Sequence, residues 1–265
     1  MDQRSKQLRK LIVQALEWGG RGHLGSSMSI VEILRVLYDS FLRYRPADPN
    51  WPDRDRLILS KGHGCLALYA VLADKGFLKE DEMLTFCKPD SRLGGHPERG
   101  KIPGVEATTG ALGHGLPMGV GMALAGKIRH QKHRVVVIVG DGEINEGSIW
   151  EAAMSAAKHK LANLTVLVDY NKLQSYGSTR EVLDLEPLAD KWRSFGFEVE
   201  EIDGHDVAAL EQLTRRLPLN SGKPTAVICH TVKGKGFPFA EGKNEWHHKS
   251  GLKPEEIAAM YEYLT

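Results

Sequence analysis

Residues 135–152 read VVVIVGDGEINEGSIWEA. Five consecutive apolar residues run into a Gly–Asp–Gly turn, and a helical pattern follows. An apolar run of this kind, bounded by a turn, is the pattern of a strand buried on both faces. Asp141 stands at the end of that strand, between Gly140 and Gly142. A carboxylate there needs a positively charged neighbour, because an unpaired buried charge is costly. The nature of that neighbour decides what the chain does.

Working outward, the strand pattern recurs at LTVLVDY (164–170), EVEEID (198–203) and PTAVICH (224–230), with a short RLILS strand (56–60) upstream. Helical patterns over 116–130, 147–160, 188–197 and 206–217 alternate with the strands. The alternation predicts an α/β fold, a doubly wound and mostly parallel sheet with helices on both faces. Towards the N-terminus, helices are predicted over 4–18, 29–42 and 64–76, the last closed by Gly76. Ser29 and Glu32 have the spacing of a capping box for the second of these. A final helix is predicted over 254–264. Two glycine-rich loops interrupt the pattern, GGRGHLGSS (19–27) and a long segment over 88–115. A loop as long as the second is usually functional. No internal repeat or low-complexity linker divides the chain, and residues 1–265 read as one domain.

Composition excludes several classes. With 35 basic and 34 acidic residues and no basic block, nothing points to nucleic acid or an anionic membrane surface. No apolar run is long enough to span a bilayer, and the charged, amphipathic N-terminus lacks the features of a secretory signal. A cytoplasmic location is expected. The three cysteines, Cys65, Cys87 and Cys229, are far apart and form no C-x-x-C pair, which argues against disulfides, structural zinc and iron–sulfur clusters.

Ligands of open α/β sheets sit at the carboxyl ends of the strands. Asp141 ends one strand and Asn171 ends the next, so one strand–helix–strand crossover can bring them together. A carboxylate and an amide oxygen suit a hard divalent cation, which completes its shell with water and phosphate. Glycines permit close approach to the backbone, and a helix start near Gly147 adds N–H groups and a partial positive charge. A metal-bridged diphosphate satisfies these features together. The Gly–Asp–Gly tripeptide by itself better fits a turn in which Asp141 merely caps, and the Asn171 amide at the next strand end brings the two readings level.

Taken with GRGHLGSSMSIVEIL, LSKGHGCLALY, LGGHPE, TTGALGHG, GDGEINEG, DYNKLQ and KGKG…WHHK, the chain resembles thiamine diphosphate enzymes. Among these it is similar to the N-terminal subunit of a split, two-subunit transketolase, from about residue 8 to 250. The resemblance implies thiamine diphosphate and Mg²⁺ (or Ca²⁺ or Mn²⁺) as cofactors. It implies Asp141, the Asn171 side chain and the Leu173 carbonyl as metal ligands, and Gly142 as a diphosphate contact. His63 and His247 correspond to histidines near the phosphates or substrate, His23 and His96 to histidines of the substrate channel. Gly110 and Leu112 correspond to the segment beside the aminopyrimidine ring, and Glu146 to a network linking two active sites across a dimer. Histidine suits proton transfer to and from sugar hydroxyls near neutral pH. His114 is a weaker fifth candidate, while His130, His133, His159 and His205 read as solvated.

The pattern is broken in three places. Ser175 and Tyr176 stand where the family often has an aliphatic residue and an aspartate, and His248 stands where glycine is usual, so His247 is the better match in WHHK. The largest departure is the lack of the pyrimidine-binding domain, whose glutamate activates the cofactor in this family. The resemblance therefore implies a partner protein carrying that domain, in a heterotetramer with two copies of each subunit, working on small sugar phosphates. A 1-deoxyxylulose-5-phosphate synthase-like or 2-oxoacid-processing subunit would share the GDG strand, though not SKGHG and LGGHPE together. A non-catalytic diphosphate-binding module would not need the histidines. A dinucleotide-binding dehydrogenase is disfavoured by the lack of G-x-G-x-x-G in the first strand–helix turn.

Overall fold

The structure is a computed structural model that describes residues 1–247, 249 and 251–265. In chain order the described elements are α1 (Gln3–Gly19), α2 (Leu24–Met28), α3 (Val31–Val36), β1 (Arg56–Leu59), α4 (Cys65–Asp74), α5 (Gly115–Ile128), β2 (Val135–Gly140), α6 (Gly147–Lys158) and β3 (Leu164–Tyr170). There follow a small hairpin of β4 (Leu173–Gln174) and β5 (Gly177–Ser178), then α7 (Thr179–Leu183), α8 (Leu188–Ser194), β6 (Glu198–Asp203), α9 (Val207–Arg216), β7 (Thr225–His230) and α10 (Pro254–Tyr263). Among the described residues no helix is long and apolar enough to cross a membrane.

The main sheet is parallel throughout, in the order β1-β2-β3-β7-β6. Its central strands are buried on both faces, which is why β2 and β3 read as unbroken apolar runs. Alternate residues divide between two cores. Val136, Ile138, Leu167 and Val227 pack on one side with α1, α3, α4 and α9. Val135, Val137, Val139, Val166 and Ile228 pack on the other with α5, α6 and α8. The chain lays down β1, β2 and β3 side by side, crosses to the far edge for β6, and returns to place β7 against β3. The strand order therefore reverses at the β3–β7 boundary. A ligand crevice is expected outside the carboxyl ends of the strands at such a reversal.

The expected elements are present, with differences at the N-terminal side. The loop predicted over 19–27 contains α2, and the helix predicted over 29–42 begins at Val31 and passes into a π-helical turn at Leu37–Phe41. Ser29 does not cap it: Ile30 occupies the cap position without a side-chain bond. Instead the Ser29 hydroxyl donates to Asp169 (2.8 Å), and Glu32 pairs with Arg9. Buried charged partners offer these groups more than a local cap would. His133 and His205 are not solvated as expected. His133 is buried, and His205 hydrogen-bonds Glu32, whereas His130 and His159 are exposed.

One charged anchor fixes the edge of the sheet. Asp55, just before β1, is buried and accepts from the backbone N–H groups of Arg43 (2.8 Å) and Arg134 (2.7 Å). It also pairs with both guanidinium groups, at 3.0 and 2.6 Å. Burial works to raise its pKa, but the hydrogen bonds from Arg134 and Arg43 outweigh it and hold the carboxyl below its ordinary range. Such a group contributes stability above the unfolded carboxylate pKa, and that stability is lost as pH falls through the folded value. Asp55→Asn is expected to cost about 2 kcal/mol at pH 7, less than a fully buried pair because both arginines keep contact with water. Denaturant unfolding should show that difference shrinking below pH ~4; a difference independent of pH would contradict the assignment.

Candidate active site

Asp141 and Asn171 are neighbours, as their places on adjacent strands require. β2 pairs with β3 in parallel, with Gly140 opposite Asp169. Asp141 is buried and accepts from the N–H groups of Gly142 (2.7 Å) and Lys172 (2.5 Å). Burial and then the Asp169 carboxylate push its pKa well above the usual range, while Lys233 pulls the other way. Lys233 supplies a positive charge nearby that acts on Asp141. It lies just beyond β7, buried, with Nζ donating to the Leu173 carbonyl (2.6 Å) and standing 2.7 Å from His247 Nδ1. Burial and the nearby Lys61 lower the pKa of Lys233, against the attraction of Asp141 and Asp169.

Beneath these tips Asp169 is wholly buried and fully engaged. It pairs with Lys61 and accepts from Ser29 (2.8 Å), Thr231 (2.5 Å) and Asn171 Nδ2 (3.0 Å). Burial would raise its pKa, but Lys61 and the hydroxyls keep it low. The Asn171 amide is thereby oriented: its nitrogen points down to Asp169, and its Oδ1 accepts from the Leu173 N–H (3.1 Å). A second buried carboxylate, Glu143, ties three backbone segments together. It accepts from Ser60, from the Gly113 N–H (2.9 Å) and from the Gly140 N–H (3.0 Å). Its pKa is raised, by burial above all.

The four singled-out histidines converge. Ring centroids lie 5.6 Å apart for His23 and His63, 6.3 Å for His23 and His96, and 6.1 Å for His63 and His247. Burial, followed by the charge of Lys61, holds the His63 pKa well below its ordinary value, and partial desolvation lowers that of His96. Both are neutral at pH 7, able to accept a proton. At His247, Nδ1 faces an ammonium that can only donate, so Nδ1 is the acceptor and the ring proton sits on Nε2. That nitrogen lies 3.4 Å from the Ser175 hydroxyl.

These groups line one cavity of about 250 Å³, together with Gly110, Leu112, Gly142 and Leu173. Glu146 lies outside it, exposed at the cap position of α6, and His114 is exposed at the start of α5. His248 lies outside the described residues. Sequence reasoning passed over Lys61, Ser26, Glu143, Asp169, Gln174 and Lys233, although each sits inside a segment it had marked, such as SKGH, GDGE or KGKG.

The cavity has the chemistry of an anion and cation site. Among the described residues Ser26 Oγ and Gln174 Nε2 are buried without a hydrogen-bond partner, and both residues line it. Unsatisfied buried polar atoms of this kind call for a polar ligand. A Cβ at Gly142 would stand 2.9 Å from Gln174 Cβ, so the cradle tolerates only glycine there. Among the described residues no group of three His, Cys, Asp or Glu side chains could hold a metal. One carboxylate, one amide and one main-chain carbonyl are present instead, the oxygen set of a hard cation that shares its shell with phosphate. The residues fit a metal-bridged diphosphate.

Comparison with known proteins identifies the family. Residues 2–265 match the family described as transketolase, thiamine diphosphate binding domain. The chain is 46% identical over its full length to one subunit of the apulose-4-phosphate transketolase of Actinobacillus succinogenes, covering 95% of that protein. It is 44% identical to a 6-deoxy-6-sulfo-D-fructose transketolase subunit, SqwG, of a Clostridium species, covering 96% of this chain and 93% of the relative. The transketolase structure from Leishmania mexicana superimposes with a TM-score of 0.91 at 32% identity, over 98% of this chain and 40% of that one. Campylobacter jejuni transketolase gives 0.91 at 29%, over 100% of this chain and 43% of that one. The chain thus spans about two fifths of these single-chain enzymes. With its fold, its strand-end oxygens and its histidine cluster, this chain belongs to the transketolase family, as the part that binds thiamine diphosphate.

Proposed function

We propose that this chain is the cofactor-holding subunit of a two-subunit transketolase, which moves a two-carbon ketol unit from a ketose donor to an aldose acceptor. The observation that carries this reading is the convergence of His23, His63, His96 and His247 on the cavity floored by Asp141 and Asn171. A site that only bound a diphosphate would have no use for a ring of four histidines suited to moving protons.

Asp141, Asn171 Oδ1 and the Leu173 carbonyl would hold the divalent metal, with Mg²⁺ the favoured ion. The Gly142 backbone and the cationic Lys61 and Lys233 would neutralise the diphosphate, and the partnerless atoms of Ser26 and Gln174 are available to it. Gly110 and Leu112 would flank the aminopyrimidine. When bound, thiamine diphosphate supplies a nucleophilic carbon and an electron sink for carbon–carbon cleavage. The histidines hold and return the hydroxyl protons. His63 accepts, since it is neutral, and His247 offers the Nε2 proton set by Lys233.

The remaining machinery is assigned to a partner subunit bearing the pyrimidine-binding domain, in a heterotetramer with two copies of each chain. Exposed Glu146 would join its counterpart's network across that assembly. Two relatives named as transketolase subunits, matched over nearly their whole length, support this division. Their names place apulose 4-phosphate and 6-deoxy-6-sulfo-D-fructose among the donors to test, beside xylulose 5-phosphate.

The purified chain, mixed with the product of its neighbouring gene, Mg²⁺ and thiamine diphosphate, is expected to transfer a ketol unit to an aldose phosphate. Neither protein alone should do so. Condensation dependent on pyruvate would instead assign it to another thiamine diphosphate enzyme, and failure of the pair to retain the cofactor would leave only a shared fold. Asp141→Ala should abolish Mg²⁺-dependent cofactor retention on gel filtration, as should a chelator added to the wild type. Retention at the wild-type level would contradict the metal role.

A further inference from the structure

Behind the cavity wall two buried ionisable side chains, Arg9 and Glu32, meet a partly buried third, His205, without contributing to the chemistry. Arg9 is fully buried and Glu32 is 4% exposed. They form a two-pronged pair, with Nη1 2.5 Å from Oε1 and Nη2 3.0 Å from Oε2. His205 Nδ1 lies 3.0 Å from the same Glu32 Oε2. Burial would raise the Glu32 pKa, but the hydrogen bonds from His205 and Arg9 hold it far below the ordinary range. Burying the Arg9–Glu32 pair carries a desolvation cost that only well-placed hydrogen bonds offset.

What the cluster touches is the segment carrying Lys233. His205 Nε2 accepts from the Val232 N–H (2.9 Å), and Arg9 Nε donates to the Lys235 carbonyl (2.9 Å). Because Nε2 accepts, the imidazole is neutral with its proton on Nδ1, directed at Glu32; this tautomer follows from the hydrogen-bond network. Within the same segment, the Gly234 N–H donates to the Gly25 carbonyl (3.0 Å) and the Gly236 N–H to Glu241 (2.9 Å). A methyl group at Gly25 would stand 2.9 Å from Lys233 Cγ, so the lysine stem lies in a slot that only glycine leaves open.

We propose that Arg9, Glu32 and His205 are positioning residues that clamp the backbone on both sides of Lys233 and so aim its ammonium at the anionic end of the cavity. Fixing the Lys233 backbone, with its stem lodged in the slot at Gly25, sets where the ammonium can reach before any ligand arrives. The cluster acts only through Lys233. Since the anion in question is the cofactor's diphosphate, the inference rests on the function proposed above.

The test is a double-mutant cycle on the chain reconstituted with its partner subunit. Calorimetric titration with thiamine diphosphate in Mg²⁺ is carried out for the wild type, His205→Phe, Lys233→Met and the double variant. His205→Phe should weaken binding about ten-fold or more, in line with other supporting residues behind a binding shell. In the Lys233→Met background the same substitution should cost little. His205→Gln, which keeps an acceptor for the Val232 N–H, should restore most of the affinity. Hydrogen exchange at the Val232 and Gly234 amides should quicken in His205→Phe and not in His205→Gln. Equal losses in both backgrounds, or wild-type affinity in His205→Phe, would overturn the inference while leaving the cofactor reading standing. Failure of the wild-type pair to bind would overturn both.

Discussion

Two carboxylates at the ends of adjacent parallel strands set the terms for the rest of the molecule. Asp141 and Asp169 are both buried, and each raises the cost of ionising the other. The fold answers with two lysines from different parts of the chain. Lys61, just past β1, pairs with Asp169, and Lys233, just past β7, stands by Asp141. Asp169 is saturated with donors and stays ionised. Among the described residues Asp141 has two backbone N–H donors and a cation that acts on it without an ion pair, and its pKa is pushed up. That asymmetry separates a carboxylate satisfied within the fold from the one proposed above to hold the metal.

The sheet topology makes the asymmetry possible. Because β7 returns to lie beside β3, residues from the two halves of the sheet meet at one end. Thr231, just past β7, can then reach Asp169 on β3, and Lys233 can reach the Leu173 carbonyl in the hairpin after β3. The N-terminal helices bring Ser29 and Ser26 to the same place, and Glu143 fastens the loop at Gly113 to the ends of β1 and β2. The histidines then line the walls from loops that no single element controls.

Much of this was legible in the residues. Apolar runs with helical spacing between them fixed the strands and their parallel arrangement, since only a sheet covered on both faces reads that way. Asp141 and Asn171 declared themselves by standing at strand ends, His23, His63 and His96 by their glycine-flanked contexts, and His247 by the WHHK segment of the family resemblance. The capping box at Ser29 and Glu32 failed because both groups found distant charged partners, and no local pattern reports a partner far away in sequence. His205 looked solvated for the same reason: its polar neighbours disguised a contact with Glu32. Lys61 and Lys233 went unremarked because a lysine in a polar loop is ordinarily a surface residue, and burial at one point depends on how separate segments converge.

The hydrogen bond from Lys233 to the Leu173 carbonyl has a further meaning. In small zinc-dependent domains the ligands repel or lie idle without the ion, and the polypeptide cannot settle until the metal arrives. Here the main-chain oxygen already has a donor, supplied by the same molecule. If that carbonyl holds the proposed metal, an incoming ion would have to compete with a tethered ammonium rather than fill a void.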